Sequence, residues 1–282
     1  VTIKRLGPGE TNDFSNVYVY DGATRLTSGK SFSSSSGEAT FLLNVAVNGS
    51  RELSIVADMD GTNNTAGNVN YLQLVSAAVT GGAAVSGTPI NGNNFATSGA
   101  SSGTLDVAEV GSLSNPTVGQ KQAQLAEFKL TANTEGASIK RLMMLNGGTL
   151  KPADLTNVKL TTGTMTWNGS VTADSYIVFD LGSGYTIAKG SNATFKVWGD
   201  VGGKKDETVI LYFENDSDIL SVGDQYGQGM AEGTNTLDTS AEATTLTLQG
   251  GALTLVFNGP TASTVGTAVT DVTLLRYSIT AA

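Results

Sequence analysis

The 282-residue sequence contains no cysteine and no histidine. Without cysteine there are no disulfides and no thiolate nucleophiles, and without both residues there are no Cys/His zinc sites and no Ser-His-Asp triads. No pair of carboxylates and no Ser-Lys arrangement stands out as catalytic, and the commonest general base of enzymes is missing. We therefore expect that the protein is not an enzyme.

Charged residues are also few, at 15% of the chain, and acidic residues outnumber basic ones by 25 to 16. The net charge of −9 argues against a nucleic-acid partner, because binding nucleic acid requires a basic surface. No apolar run approaches the length of a membrane-spanning helix. An acidic, polar chain without cysteine is typical of cell exteriors, so we predict an extracellular or cell-surface location.

Glycine is abundant, with 35 residues, and long helical patterns are missing, which predicts an all-β protein rich in turns. In the middle of the chain, short segments with strand patterns alternate with turn signals such as "NGG" and "GSG". Seven or eight strands over this length are typical of an immunoglobulin-like sandwich. The predicted strands lie near 104–110, 123–132, 137–145, 155–161, 173–181, 193–201, 207–214 and 242–248.

An internal repeat is the most informative feature of the sequence. Three segments of the first half recur in the second half, in the same order and at nearly the same spacing, so the chain holds two copies of one module. The pairs are "VTIKRL" (Val1–Leu6) with "ASIKRL" (Ala137–Leu142), "DFSNVYVYDG" (Asp13–Gly22) with "DLTNVKLTTG" (Asp154–Gly163), and "NGSRELSIVADMDG" (Asn48–Gly61) with "KGSNATFKVWGDVGG" (Lys189–Gly203).

A second similarity links the middle of the chain to its C-terminal part. "GTLDV" (Gly103–Val107) recurs as "GALTL" (Gly251–Leu255), and "LAEFKLTA" (Leu125–Ala132) recurs as "LLRYSITA" (Leu274–Ala281). In the complete copy these two strands come immediately before the "IKRL" strand. We therefore predict an incomplete immunoglobulin-like sandwich in residues 1–102, a complete one in 103–250, and a segment 251–282 that supplies only the two opening strands.

The two strands of this last segment carry an apolar face with a period of two, which is typical of half-buried strands. We expect them to complete the first sandwich of a neighbouring subunit, with the strand Val1–Leu6 as acceptor through Ile3 and Leu6. Such a head-to-tail contact is heterologous and propagates into an open filament. The residues predicted to form the donor face are Leu253, Leu255, Phe257, Leu275, Tyr277, Ile279 and Ala281.

Two acidic clusters raise the question of calcium. Asp58, Asp60 and Asn63 in "DMDGTNN" offer hard oxygen ligands, but the glycine is misplaced for an EF-hand and the closing glutamate is missing. The pattern favours a turn after a strand, with a Ca²⁺ site as the alternative and no other cofactor expected. "ENDSD" (Glu214–Asp218) is interpreted in the same way, as a solvated loop.

Together, the repeated motifs resemble the tandem immunoglobulin-like repeats of bacterial surface-layer and adhesin-like proteins. The resemblance covers most of the chain and implies extracellular scaffolding, often with calcium and sometimes with glycans, and no catalytic residue. The split module is also similar, by analogy, to donor-strand pilins, in which a terminal strand of one subunit completes the next. In chaperone–usher pilins the donor strand is usually N-terminal, whereas here it would be C-terminal.

Three functions follow from these patterns. The first is a structural subunit of an extracellular filament or surface array, a homopolymer like a pilus. The second is a two-repeat fragment of a larger surface-layer protein. The third is a carbohydrate-binding adhesin module, for which Trp167 and Trp198 would be the stacking residues, although packing is the role that their strand context favours.

Overall fold

The computed structural model describes residues 1–99, 103–250 and 253–281, and for Ala281 it describes only the backbone. Three positions of the predicted domain plan, residues 102, 251 and 282, lie outside the described residues. The described chain consists of β-strands, loops and three short 3-10 turns, at Thr11–Asp13, Pro152–Asp154 and Asp216–Asp218. This confirms the predicted all-β fold class.

The first domain, residues 1–99, packs two sheets against each other. Its strands are β1 (Thr2–Leu6), β2 (Phe14–Asp21), β3 (Thr24–Arg25), β4 (Glu38–Thr40), β5 (Ser54–Met59), β6 (Val69–Ser76), β7 (Ile90–Asn91) and β8 (Phe95–Ala96). One sheet has the order β4-β1-β6-β7, with β8 also on β6, and the other has the order β3-β2-β5.

Strand β2 lies at the centre of this domain and has buried side chains on both of its faces. Val17 and Val19 point into the core between the two sheets. Tyr18 and Tyr20 point to the opposite face, where they are also buried, because that face lies against the second domain. The core is completed by Phe14 at the start of β2 and by side chains from the neighbouring strands and loops: Ile3, Phe32, Ala39 and Phe41.

The second domain, residues 103–250, is larger. Its strands are β9 (Thr104–Glu109), β10 (Ala123–Asn133), β11 (Ala137–Asn146), β12 (Leu155–Thr162), β13 (Met165–Asn168), β14 (Ser170–Val171), β15 (Tyr176–Ile187), β16 (Asn192–Val201), β17 (Thr208–Val209), β18 (Leu211–Tyr212), β19 (Ile219–Gly223), β20 (Ala231–Asn235) and β21 (Leu246–Thr247). The main sheets have the orders β13-β12-β16-β10-β9-β20 and β14-β15-β11-β18, with β19 also on β11, while β17 and β21 pair with each other.

The core of this domain lies between its two main sheets and depends on β10. Alternate residues of β10 point inward, and Phe128 and Leu130 among them are fully buried. The ring of Phe128 stacks on Phe195 of β16 at 5.7 Å between centroids and meets Phe213 edge-on at 5.3 Å. Such aromatic contacts add to the free energy gained by burying apolar area.

The two domains share strand registers as well as sequence motifs. Val19 of β2 faces Ile55 of β5, and its counterpart Leu160 of β12 faces Val197 of β16. In both pairs of strands one β-bulge shifts the register at the start of the first strand. Strand β5 therefore corresponds to β16, and Ile55 corresponds to Val197.

The C-terminal part forms a hairpin of β22 (Leu253–Phe257) and β23 (Tyr277–Ala281). The pairing is antiparallel, and the long loop between the strands ends where the Asn258 amide donates a hydrogen bond to the Arg276 carbonyl at 2.8 Å. Residues 253–281 will be called the C-terminal hairpin.

The predicted strands of the second domain differ from the observed ones in several places. The strand predicted at 242–248 is only the two-residue β21, and the one predicted at 207–214 is divided into β17 and β18. Strands β13, β14, β19 and β20 were not predicted. The sequence of β20, "AEGTN", has no apolar alternation because the strand lies at a sheet edge, where it pairs in parallel with β9 and stays largely outside the core.

Candidate functional site

The C-terminal hairpin exposes its apolar face. Among the described residues neither strand pairs with any other part of the chain, and every residue from 253 to 280 except Gly259 is exposed. An isolated hairpin is marginally stable in water, and an exposed apolar patch marks an interaction site. Five predicted donor residues share this face and are between 55% and 64% exposed: Leu253, Leu255, Phe257, Tyr277 and Ile279.

The hairpin repeats the register of β9 and β10 in the second domain. Leu255 faces Ile279, and their sequence counterparts Val107 and Leu130 also face each other. The same correspondence holds for all five residue pairs of the hairpin. The hydrogen bond from Asn258 to Arg276 is likewise matched by one from Val110 to Glu127 at 2.9 Å.

Four of the five exposed donor residues have buried counterparts, and the fifth, Phe257, corresponds to the partly buried Glu109. Leu105 and Val107 of β9 are 2% and 1% exposed, and Phe128 and Leu130 of β10 are 0% exposed. These strands are buried because β10 pairs with β16 and its inner face covers the core. The hairpin thus has the strand pairing and the apolar face of two core strands, but no sheet of its own chain covers that face.

The first domain lacks a strand at the corresponding place. In the second domain β16 pairs with β12 on one edge and with β10 on the other. Its counterpart β5 pairs with β2 on one edge, and no strand in the described chain pairs with the other edge. A sheet edge of this kind carries unpaired backbone donors and acceptors and is a template for an added strand.

Side chains beside this edge are incompletely covered. Ile55 is only half-buried, whereas its counterpart Val197 is 0% exposed. Next to Ile55 lies a groove of 330 Å³ between the two sheets of the first domain. Its apolar lining comes from β1, β5, β6, β7 and β8, through Ile3, Ile55, Leu72, Leu74, Ile90 and Phe95.

The predicted acceptor strand occupies a different place from the open edge. Ile3 lines the groove, but Leu6 does not, and both edges of β1 are already paired, with β4 and with β6. Strand β1 can therefore contact a docked hairpin through the Ile3 side chain but cannot form a new ladder. The strand that can do so is β5, which the sequence analysis did not single out.

Two predicted donor residues lie at the limits of the hairpin. Leu275 precedes β23 in the structure and is exposed, although its counterpart Ala126 lies within β10 and faces Val197. Ala281 pairs with Leu253 through its backbone, and its side chain lies outside the described residues.

The residues considered for calcium are engaged in local hydrogen bonds. The Asp60 carboxylate accepts from the amides of Thr62 and Asn63 at 2.8 and 2.6 Å, which lowers its pKa and forms the predicted turn. Asp58 instead accepts from the Tyr18 hydroxyl at 2.7 Å. Across the described ranges, no group of three or more acidic side chains is placed to hold a metal ion.

We expect that calcium does not stabilise this loop, because the Asp60 oxygen that would bind the ion already holds two backbone amides. A ligand that binds only the folded state raises the melting temperature by mass action. Thermal melting with chelator and with millimolar calcium should therefore coincide. A rise in melting temperature that disappears in Asp60→Asn would contradict this expectation.

A second cluster joins the two domains and was not found from the sequence. Arg25 of β3, whose side chain is 1% exposed, donates to Glu214 at 2.6 Å and to the Tyr176 hydroxyl at 2.7 Å. It also lies 3.6 Å from Asp218, which is 0% exposed. The prediction that this acidic loop is solvated is therefore wrong for Asp218. A neighbouring contact places the Arg141 guanidinium 4.4 Å from the centre of the Tyr20 ring.

Burial and charge act in opposite directions in this cluster. Burial raises the pKa of Asp218 to about 6, against the attraction of Arg25. Burial would also raise the pKa of Glu214, but hydrogen bonds from Tyr176 and Arg25 hold it below its ordinary value. Removing Arg25 would therefore leave carboxylates without their counter-charge in a desolvated place.

The repeat contains a signal that could have located this junction. Tyr18, Tyr20 and Arg25 correspond by register to Lys159, Thr161 and Thr166 of the second domain. Where one copy of a repeat has an aromatic or charged residue and the other copy has a different polar residue, the difference indicates a contact that only the first copy makes. Here that contact is the interface between the two domains.

Comparisons with known proteins give little beyond this geometry. No family model and no curated protein matches the chain. A solved structure, the C-terminal domain of the Streptococcus pyogenes antigen I/II-family protein AspA, matches with 11% identity and a TM-score of 0.21. The match covers 70% of this chain, and the chain spans 58% of that structure. A TM-score this low supports no argument about family or function.

The described ranges contain no helix that is long and apolar enough to span a membrane.

Proposed function

We propose that this protein is a structural subunit of an extracellular filament or surface array, polymerising head-to-tail by strand complementation. The C-terminal hairpin of one copy completes the first domain of the next. The observation that carries the proposal is that the hairpin repeats the β9–β10 register, while β5 lacks a neighbour where β16 has β10. The C-terminal hairpin, which has no partner in its own chain, thus matches the strands that the first domain lacks beside β5.

The second domain supplies the geometry of the docked state. Glu127 of β10 faces Lys196 of β16, and their counterparts are Arg276 and Ser54. With this register β23 runs antiparallel to residues 50–53, which extend the β5 edge, and Tyr277 faces Leu53, a residue that packs against the core of the first domain. The second copy is the occupant we favour because its hairpin matches the vacant edge in strand direction, register and apolar face.

The energetics favour such a contact. Each large apolar side chain moved from water into the groove contributes about 1.5–3 kcal/mol, and each new backbone hydrogen bond along β5 contributes about 1 kcal/mol. Against these gains stand the ordering of the exposed hairpin and loop and the loss of rigid-body freedom. The contact joins two different surfaces, so every growing polymer has a free hairpin at one end and a free β5 edge at the other. Further copies can therefore add at both ends and form a linear array.

Other functions have weaker support. The lack of histidine and cysteine supports a non-enzymatic role, and the acidic composition supports a partner other than nucleic acid. Both tryptophans are engaged within the second domain, since Trp167 packs edge-on against Tyr185 and the Trp198 indole N–H donates to Thr161. We therefore place the function in self-assembly rather than in glycan binding.

The test is competition by the hairpin itself. A synthetic peptide of residues 253–281 should occupy the β5 edge of free chains and block the addition of the next copy. We expect light scattering and electron microscopy to show linear polymers of the full chain, and to show that they shorten as the peptide concentration rises.

The control is the same peptide with Tyr277→Asp and Ile279→Asp, which should leave the polymer length unchanged. A full chain that stays a monodisperse monomer at all concentrations would contradict self-assembly and favour the fragment of a larger surface protein. Polymers whose length does not change with the concentration of the unmodified peptide would contradict docking of the hairpin at the β5 edge.

A further inference from the structure

The short strand β8 of the first domain lies where the groove opens. Phe95 and Ala96 pair with Asn70 and Val69 of β6, and two further backbone hydrogen bonds join Thr97 to Gly67 and Asn68. The Phe95 ring lines the groove and meets Phe14 edge-on at 5.9 Å between centroids. The Thr97 hydroxyl adds hydrogen bonds to the Thr65 and Asn68 carbonyls at 2.5 and 3.2 Å, so the firm anchor lies at Thr97. Phe95 remains 39% exposed, so little burial holds β8 itself.

The corresponding segment of the second domain lies on the other sheet. Strands β6 and β19 both neighbour the "IKRL" strand of their domain, β1 and β11. After β19 the chain first turns back at the Val222–Gly229 bridge. It then continues as β20, which runs parallel to β9 and covers its outer edge. After β6 the chain likewise turns back at β7, but then continues as β8 on β6.

The difference has a physical cause. The chain after β19 can cross to the other sheet because β9 has a free outer edge, where β20 pairs with it. Just after β20, the Thr236 amide donates a hydrogen bond to the Val107 carbonyl of β9 at 3.1 Å. The described part of the first domain contains no counterpart of β9. With no such edge within reach, the segment satisfies its backbone groups on β6, since unpaired backbone groups are costly.

We propose that the Gly92–Ala96 segment of the acceptor leaves β6 when a hairpin docks, and pairs in parallel with the outer edge of the donor's β22. This inference rests on the proposed function. The donated hairpin is then held on both sides, by β5 along β23 and by the Gly92–Ala96 segment along β22. The move also withdraws Phe95 from the groove and covers an edge that would otherwise stay open to further pairing.

A disulfide that fixes β8 on β6 tests this movement. Val69 and Ala96 face each other across the two antiparallel strands, and the chain has no other cysteine. We expect the oxidised V69C/A96C chain to lose polymer growth and to regain it when the disulfide is reduced. The matched control is T2C/T40C, a facing pair on β1 and β4, which should polymerise equally well in both redox states.

Each outcome decides the proposal. Growth of the oxidised V69C/A96C chain at the rate of the unmodified chain would overturn it while leaving head-to-tail assembly intact. If even the unmodified chain does not polymerise, the proposed function fails together with this inference. If V69C/A96C melts far below the unmodified chain, hydrogen exchange of the unmodified chain decides instead. The Gly92 amide, which belongs to the moving segment and donates to the Leu72 carbonyl at 2.8 Å, should lose protection on assembly, and unchanged protection would overturn the proposal.

Discussion

Tyr277→Asp is expected to abolish polymerisation and to leave a folded monomer. Tyr277 corresponds to Phe128, which is 0% exposed in the complete domain, so docking would bury an aspartate in an apolar groove. The lost apolar burial costs about 1.5–3 kcal/mol, and burying a charge without a partner costs several kcal/mol more. Together these lower the affinity of the contact by at least about a thousandfold at 1.4 kcal/mol per factor of ten. Sedimentation velocity measures this directly.

Ser278→Asp is the matched control, because Ser278 is next in the strand and faces the opposite side of the hairpin. It adds the same charge and should polymerise almost normally. Equal loss of assembly in both variants would show that charge, rather than burial of the apolar face, controls polymerisation. Normal assembly of Tyr277→Asp would remove this residue from the contact.

Arg25→Ala is expected to destabilise the folded chain by about 3–5 kcal/mol at neutral pH, since it removes one partner of a buried ion pair. Asp218 would lose its counter-charge in a site with 0% exposure. The control is Arg51→Ala, which removes an exposed ion pair with Asp21 and should cost less than about 1 kcal/mol. Chemical denaturation of the two variants checks the difference.

The effect of Arg25→Ala should depend on pH in a defined direction. Burial raises the pKa of Asp218 from 3.8 to about 6 in the folded chain. The folded state therefore binds more protons than the unfolded state between these values, and this carboxyl's contribution to stability falls as pH rises through that window. Without Arg25 the folded pKa rises further, so the loss of stability should be larger at pH 8 than at pH 4.5. A loss independent of pH would show that Asp218 is not the affected group.

The repeat and the apolar face of the hairpin could be predicted from sequence because both are local patterns. A period of two along "RYSITA" identifies the apolar side of β23 without knowledge of its partner. The similarities of "GALTL" to "GTLDV" and of "LLRYSITA" to "LAEFKLTA" also identified the two strands of the hairpin, and the structure shows that they pair as β9 and β10 do.

The open edge could not be read from the same similarity. Chain order suggested that β23 would continue towards a strand like β1, since β10 leads directly into β11. In the structure β10 and β11 belong to different sheets, so consecutive strands lie across the sandwich from each other. The strand beside β10 is β16, far along the chain, and only the sheet order identifies its counterpart β5.

The junction between the domains was missed for a related reason. Arg25 and Glu214 are separated by 189 residues, and no local pattern links them. Long-range ion pairs depend on how two finished domains meet, which short motifs do not encode. Interpreting Glu214–Asp218 as a solvated loop used only its local composition, whereas Arg25 is the residue that permits the burial of Asp218.

The most direct test of the central claim is a disulfide between two different copies. One chain carries Ser54→Cys on the β5 edge, and the other carries Arg276→Cys next to β23. These are counterparts of the facing residues Lys196 and Glu127, and the chain has no other cysteine. Mixed and oxidised, the two chains should form a heterodimeric disulfide in high yield, whereas Arg276→Cys paired with Thr2→Cys on β1 should not. No excess of the Ser54–Arg276 product over that control would contradict docking of the hairpin at β5.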